Sequence, residues 1–183
     1  MGKQINIRAE TEADYEAITQ VNDLAFGREN EGRLVVALRE HEDFDPRLSL
    51  VAECQGEVIG HPDCKIIGHA LFTPIRIQTP KAEHPTLGLG PIAVLPKHQK
   101  CGTGGKLIQV GHRIARDLGY TSVILLGHPS YYPRFGYRMA AMWGLTNPWG
   151  IHNEAFMAIE LVDGSLADKA GLVVYPEAFD DAA

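Results

Sequence analysis

Three glycines stand close together at positions 102, 104 and 105, inside the run Pro96-Lys97-His98-Gln99-Lys100-Cys101-Gly102-Thr103-Gly104-Gly105-Lys106-Leu107. The residues around it predict a strand entering this run and a helix leaving it. The first turn of such a helix carries backbone N–H groups with no intrahelical partner. Glycines let the chain turn sharply and bring those groups close to a ligand. Together they make a cradle for a phosphate or pyrophosphate. Glycine ahead of a helix is also a plain structural signal, so the neighbours must say what is bound. A Walker A loop is excluded, because Lys100 stands where its first glycine belongs and Leu107 where its hydroxyl belongs. A dinucleotide fingerprint starts at Gly102 and Gly104 but meets Leu107 in place of its third glycine. The cradle points to a different phosphorylated cofactor. Cys101 lies in the same run, yet nothing pairs it with a base, and it reads as a small turn residue rather than a nucleophile.

Positioning that run requires a scaffold, and the hydrophobic pattern predicts one. Residues 5–8 alternate as a first strand. Thr11 followed by Asp14 starts a helix to about Ala25, with Ile18, Val21 and Ala25 on one face. Gly27 and Gly32 interrupt, and Leu34, Val35 and Leu38 mark a second short helix. Strands are expected at residues 48–54 and 66–77, joined as a hairpin through residues 56–63, with Pro74 bulging or ending the second. A further strand at 87–94 leads into the glycine run, a helix at 105–118 follows, and Gly119 suits its C′ position. Residues 122–126 form a continuous apolar strand, buried on both faces. Later strands are expected near Ala141, at 155–161 and, as an edge, at 171–175, and residues 79–85 read as a mobile loop. The sum is a mixed α/β domain spanning residues 1–183.

Composition narrows the function classes. The 183 residues are 45% hydrophobic and 22% charged, which is globular composition, with a net charge of -6. No basic run appears, so a general nucleic-acid binder is not expected. No apolar run approaches the roughly 20 residues of a membrane span, and residues 1–7 lack the apolar core of a signal peptide. Cys54, Cys64 and Cys101 form no CxxC pair, which argues against a zinc knuckle or a disulfide scaffold. A cytoplasmic, metal-free protein is expected.

Gln99-x-x-Gly102-x-Gly104, entered from Val94-x-Pro96, resembles the acyl-CoA signature (Arg/Gln)-x-x-Gly-x-(Gly/Ala) of the GCN5-related N-acetyltransferase (GNAT) superfamily. Leu89-Gly90-Pro91-Ile92-Ala93-Val94 is similar to its fourth strand, and Tyr132-Pro133-Arg134-Phe135-Gly136-Tyr137 to its Tyr-x-x-x-Gly-Phe turn, with Tyr for the last Phe. Ala25-Phe26-Gly27, Glu31-x-x-Leu34-Val35 and Glu154-Ala155-Phe156-Met157-Ala158 extend the likeness over nearly the whole chain, to a YhbS-like bacterial subgroup. The resemblance implies an α/β fold with a mixed, mostly antiparallel sheet whose fourth and fifth strands splay apart between flanking helices. It also implies acetyl-CoA as cosubstrate. The segment Gln99, Lys100, Cys101, Gly102, Thr103, Gly104 and Gly105 would hold the pyrophosphate, and the strand Ile92, Ala93 and Val94 the pantetheine arm. Pro91 cannot donate to a sheet ladder, which suits a bulge or splay there.

In the family the turn tyrosine is placed near the cofactor sulfur, which makes Tyr132 the expected general acid. Tyr131 is its competitor, and the spacing to Gly136 favours Tyr132. Glu31 is the first candidate for the base, since it begins the helix that walls the acceptor side. Glu83 and His84 are a second choice, and His128 could bind substrate or accept a proton. Met139, Met142, Trp143 and Trp149 could line an acceptor pocket or a homodimer seam, with ordinary packing as the default. The expected partner is a small-molecule, peptide or protein amine. The alternative is an acyl-CoA-binding regulatory protein that has lost catalysis.

Overall fold

The structure, a computed structural model, describes residues 5–54, 66–151 and 154–180. The hairpin connection expected at 56–63 lies outside the described residues.

Strand β1 (Ile5–Ala9) leads through a short turn into α1 (Tyr15–Phe26). The Asp14 carboxylate accepts the Thr11 N–H at 2.8 Å, as the Thr-x-x-Asp spacing predicts, and Arg8 holds that carboxyl down at about 2. Gly27, at φ 70°, ends α1, and α2 (Asn30–Arg39) begins three residues later. Then come β2 (Ser49–Cys54), β3 (Ile66–Gln78), β4 (Glu83–Val94), α3 (Thr103–Asp117) and β5 (Ser122–Leu126). Two-residue strands β6 (Arg138–Met139) and β7 (Leu145–Thr146), then β8 (Phe156–Glu160) and β9 (Gly171–Val174), complete the described elements.

The strands form one sheet in the order β1-β2-β3-β4-β5-β8-β6, with β9 beside β3 and β7 beside β9. Every pairing is antiparallel except β4 with β5 and β7 with β9. The helices cover opposite faces, as the period-2 alternation of β3 shows. His69 meets Asn22 of α1, whereas Phe72 lies against Gly111 of α3. A Cβ on Gly111 would sit 2.1 Å from the Phe72 ring, so a bare α-carbon is what lets α3 settle on the sheet. On the other face a buried polar network fixes α2. Arg39 donates to both Glu10 oxygens at 2.8 and 3.0 Å, and Ser49 links Glu10 to His69. Burial first, and then the Arg39 charge, push His69 down to about 3, so it is neutral at pH 7.

The sheet opens where function was expected. β4 and β5 pair only at Leu87 opposite Val123 and Gly88 opposite Ile124. The Thr86 hydroxyl pins that end, 2.7 Å from Ser122 Oγ and 3.0 Å from the Ser122 carbonyl. Beyond Gly88 no ladder joins the two strands. Against β3, Ala70 pairs with Ile92 and Phe72 with Leu89, so Gly90 and Pro91 together oppose Leu71. That is a bulge at the proline, where a missing N–H breaks no regular ladder.

Three sequence expectations change. Residues 79–85 are a turn and the start of a strand rather than a loop. Thr79 closes a tight turn, accepting from Lys81 and Ala82 N–H at 3.3 and 3.1 Å while donating to the Ala82 carbonyl at 2.8 Å, and β4 already begins at Glu83. Pro74 neither bulges nor ends β3. It lies between the end of the β2 ladder at Leu71 and the start of the β9 ladder at Arg76, where one strand edge is free. The strand expected near Ala141 is two short ones that flank it. Ala140–Trp143 is a 3-10 turn closed by Gly144 at φ 68°, with β6 and β7 on either side. Among the described residues no helix is long and apolar enough to cross a membrane, and no cluster of His, Cys, Asp or Glu could hold a metal.

Candidate active site

β4 delivers the chain to a short turn, Pro96–His98, and then to the glycine run. Lys100 and Gly102 both take left-handed backbone, at φ 60° and 83°. Glycine adopts that region freely, and a lysine there is unusual. Gly102 is the N-cap of α3, and no side chain caps the helix. The first intrahelical bond runs from Lys106 N to Gly102 O, 3.0 Å, which leaves the amides of Thr103, Gly104 and Gly105 outside the ladder. The Thr103 hydroxyl is buried without a partner among the described residues. A buried orphan hydroxyl is costly unless a ligand meets it. Free amides, a helix dipole and an unpartnered hydroxyl fit an oxyanion such as a pyrophosphate. A Cβ on Gly104 would sit 2.9 Å from the Tyr131 hydroxyl, so that glycine lets Tyr131 close over the cradle.

The strand edge beside the cradle faces the splay. Leu95 N donates to Ile67 O at 2.9 Å, so the odd residues Ala93 and Leu95 turn their amides toward β3. By alternation, the backbone groups of Ile92 and Val94 point into the gap. The Gln99 side chain folds back and donates to Val94 O at 3.0 Å, tying the loop to the strand end. Cys101 is exposed and does not line the groove, whereas its neighbours Lys100 and Gly102 do.

Two cavities flank the splay. One, about 910 Å³, runs from the cradle along Ile92, Ala93 and Val94 to Tyr131, Arg134 and Phe135. The other, about 620 Å³, lies among Glu31, Leu34, Leu89, Pro91, Leu126, Trp149 and Phe179. Phe26, Ile92, His128 and Tyr132 line both. Tyr132 is held there by packing. Its ring lies on Gly127, where a Cβ would meet it at 2.2 Å, and it contacts the Tyr131 and Tyr137 rings edge-on at 5.1 and 5.7 Å. Tyr137 is fixed in turn by His112, whose Nε2 is 2.8 Å from its hydroxyl. Burial, then the neighbouring Tyr131, push the Tyr132 phenol up to about 12, so it keeps its proton at neutral pH. Tyr131 also shifts upward through burial but is half-buried and stacks with Arg134, 4.9 Å from its ring centre. Tyr132 is therefore central and Tyr131 lies on the phosphate side.

Residues 6–140 match the Acetyltransferase (GNAT) domain family. The uncharacterized N-acetyltransferase YjhQ of Escherichia coli K12 is 38% identical over 130 residues, 70% of this chain and 67% of that one. The crystal structure of the E. coli GNAT family N-acetyltransferase YhbS in complex with CoA superimposes with TM-score 0.87 at 30% identity, covering 98% of this chain and 94% of that one. A GNAT family acetyltransferase from Brucella melitensis, in complex with acetyl-CoA, gives 0.74 at 34% identity, with 97% and 99% covered. The chain belongs to the GNAT acetyltransferase family. Its β4–β5 splay and glycine cradle carry that membership in the fold.

In this GNAT chain the remaining candidates divide sharply. Glu31, buried in the first turn of α2, faces the 620 Å³ cavity. Both its oxygens accept from Arg28, Nε lying 3.0 and 3.1 Å away, so an incoming amine must share the carboxylate with that guanidinium. Glu83 and His84 lie at the paired end of β4, outside both cavities, and Glu83 is 3.6 Å from Arg76. The strand's length separates them from the splay. Of the soft cluster, Trp149 lines the cavity, Met139 and Met142 are exposed, and Trp143 packs on the smaller core. Sequence reasoning gave no role to Phe26, although Ala25-Phe26-Gly27 stood in the resemblance, and it gave none to Tyr175 or Phe179. The last two arrive from the chain's far end and no local signal marks them.

Proposed function

We propose that this GNAT protein moves the acetyl group of acetyl-CoA onto a primary amine by direct attack in a ternary complex. One observation carries the proposal: an anion-fitted groove and an apolar cavity meet at Tyr132 through the splay of β4 and β5. The CoA and acetyl-CoA present in the structures of two relatives, at 30% and 34% identity, support the cosubstrate. The amides of Gly102, Thr103, Gly104 and Gly105, with Lys100 and the Thr103 hydroxyl, would hold the pyrophosphate. Ile92 and Val94 present strand-edge groups for the pantetheine arm, and Gln99 keeps that edge in place. When bound, acetyl-CoA supplies an activated acetyl group: a nitrogen–carbon bond forms, the carbon–sulfur bond breaks, and its electron pair leaves on sulfur. Tyr132 supplies the proton that sulfur needs, since burial keeps the phenol loaded. Glu31 orients the amine on the opposite side and takes up the proton that nitrogen gives off.

The engagement of both Glu31 oxygens by Arg28 favours a second reading, a CoA-binding regulator without turnover. Thiol release from acetyl-CoA, followed with a broad panel of amines, separates the two. Amine-dependent release is expected. Tight acetyl-CoA binding with no release above the hydrolytic background across the panel would favour the regulator.

A further inference from the structure

Resting on the acetyl-transfer reading, we propose that the acceptor is a monoamine on an apolar, aromatic body, of the arylalkylamine type, and not a polycation.

The acceptor-side cavity is built from aliphatic and aromatic side chains on separate segments: Leu34 of α2, Leu89 of β4, Leu126 of β5, and Trp149, Ile151 and Phe179 beyond. Among the described residues that line it Glu31 is the one carboxylate, and Arg28 already compensates its charge. A second ammonium on the substrate would leave water for a wall that is mostly apolar among the described residues, where the further carboxylate, Asp180, already accepts from Trp149 Nε1, and a buried unpaired charge is strongly disfavoured. A single amine placed at Glu31 meets one carboxylate next to the Tyr132 junction.

The wall also has flat surfaces for a ring. Trp149 and Tyr175 lie with ring centres 4.8 Å apart, and Tyr175 and Phe179 meet edge-on at 5.2 Å. Trp149 Nε1 donates to Asp180 at 3.0 Å, which fixes the indole. Such rigid aromatic faces favour an aromatic or bulky apolar body. In the reaction, the ammonium first gives one proton to solvent. The amine nitrogen then bonds to the acetyl carbon and loses one proton to Glu31 while the carbon–sulfur bond breaks and Tyr132 gives a proton to sulfur. An amide and a CoA thiol are the products, and the proton on Glu31 returns to Tyr132 through solvent.

The test uses purified full-length protein. Acetyl-CoA binding is first measured by calorimetry, and its absence would overturn the parent reading, not this one alone. Thiol release is then compared for 2-phenylethylamine, tryptamine, spermidine, kanamycin and a lysine-containing peptide. Expected is a kcat/KM for the two aromatic monoamines at least about tenfold above the other three. A protein that binds acetyl-CoA but prefers spermidine, kanamycin or the peptide, or ignores both aromatic monoamines, overturns the proposal. A second measurement uses Ile151→Glu, which adds an uncompensated acid to the wall. Its kcat/KM for 2-phenylethylamine should fall about tenfold relative to that for spermidine, with acetyl-CoA affinity retained. An unchanged ratio between those two amines counts against it.

Discussion

The two cavities share four residues and are otherwise built in opposite ways. The phosphate-side groove is made of backbone: bare amides at the start of α3, left-handed turns at Lys100 and Gly102, and the free edge of Ile92 and Val94. Its backbone parts lie within fourteen consecutive residues, 92–105, and side chains of Tyr131, Arg134 and Phe135 close it. The acceptor-side cavity is lined by side chains from α2, β4 and β5, by Trp149, Ile151 and Ala155, and by Tyr175 and Phe179. A backbone site is tuned by steric freedom and tolerates little change of shape. A side-chain site can be re-lined residue by residue without disturbing the fold. One enzyme can thus keep its cosubstrate and change its acceptor.

That contrast can be broken by experiment. The largest effect is expected from Gly104→Trp, which fills the cradle and collides with Tyr131. Acetyl-CoA affinity should drop by more than about a hundredfold with the melting temperature nearly unchanged. Retained affinity in a folded variant would show that the amides are not the anion site. Tyr132→Phe comes next, with kcat down about a hundredfold and acetyl-CoA dissociation constant within a factor of two. An unaltered kcat would remove Tyr132 from proton transfer. Glu31→Gln should lower kcat/KM for the amine about tenfold and leave acetyl-CoA affinity alone, since the residue faces only the acceptor side. A loss confined to cofactor binding would contradict the division between the cavities.

The last test concerns stability and what the cavities have in common. Burial holds His69 at about 3 and His112 at about 4, both below the ordinary 6.5. The unfolded chain therefore binds more protons than the folded one between those values. Stability is full above about pH 6.5 and falls on acidification, by up to about 1.4 kcal/mol per pH unit for each histidine. Urea midpoints at pH 7, 6 and 5 should decline, and less steeply in His112→Gln. Because His112 supports Tyr137, and Tyr137 supports Tyr132, activity lost through acid should accompany unfolding of the junction itself. A flat stability profile across that range would mean that both histidines take up protons as readily in the folded protein as in the unfolded chain.

Legibility followed the same divide. Gly102-x-Gly104-Gly105 after Pro96 marked the cradle because its left-handed turns and free amides are main-chain geometry, which local sequence dictates. Pro91 marked the bulge because a residue without an N–H must sit where the ladder fails. Tyr132 could be chosen over Tyr131 by its spacing to Gly136, yet only the stacking of its ring on Gly127 explains why it stands at the junction. Glu31 was legible as an acid at a helix start but not as the partner of Arg28. Thr79–Ala82 was misjudged because a threonine hydroxyl, rather than glycine, closes the turn.

By itself the sequence determined the α/β order and the glycine turn ahead of α3, since these follow from periodicity and glycine torsions within short stretches of chain, while the splay was read from the resemblance to the GNAT superfamily. Only the tertiary structure decided which side chains enclose the 620 Å³ cavity. Leu34, Trp149, Tyr175 and Phe179 are far apart along the chain, and long-range packing, which has no local signature, is what brings them to one wall.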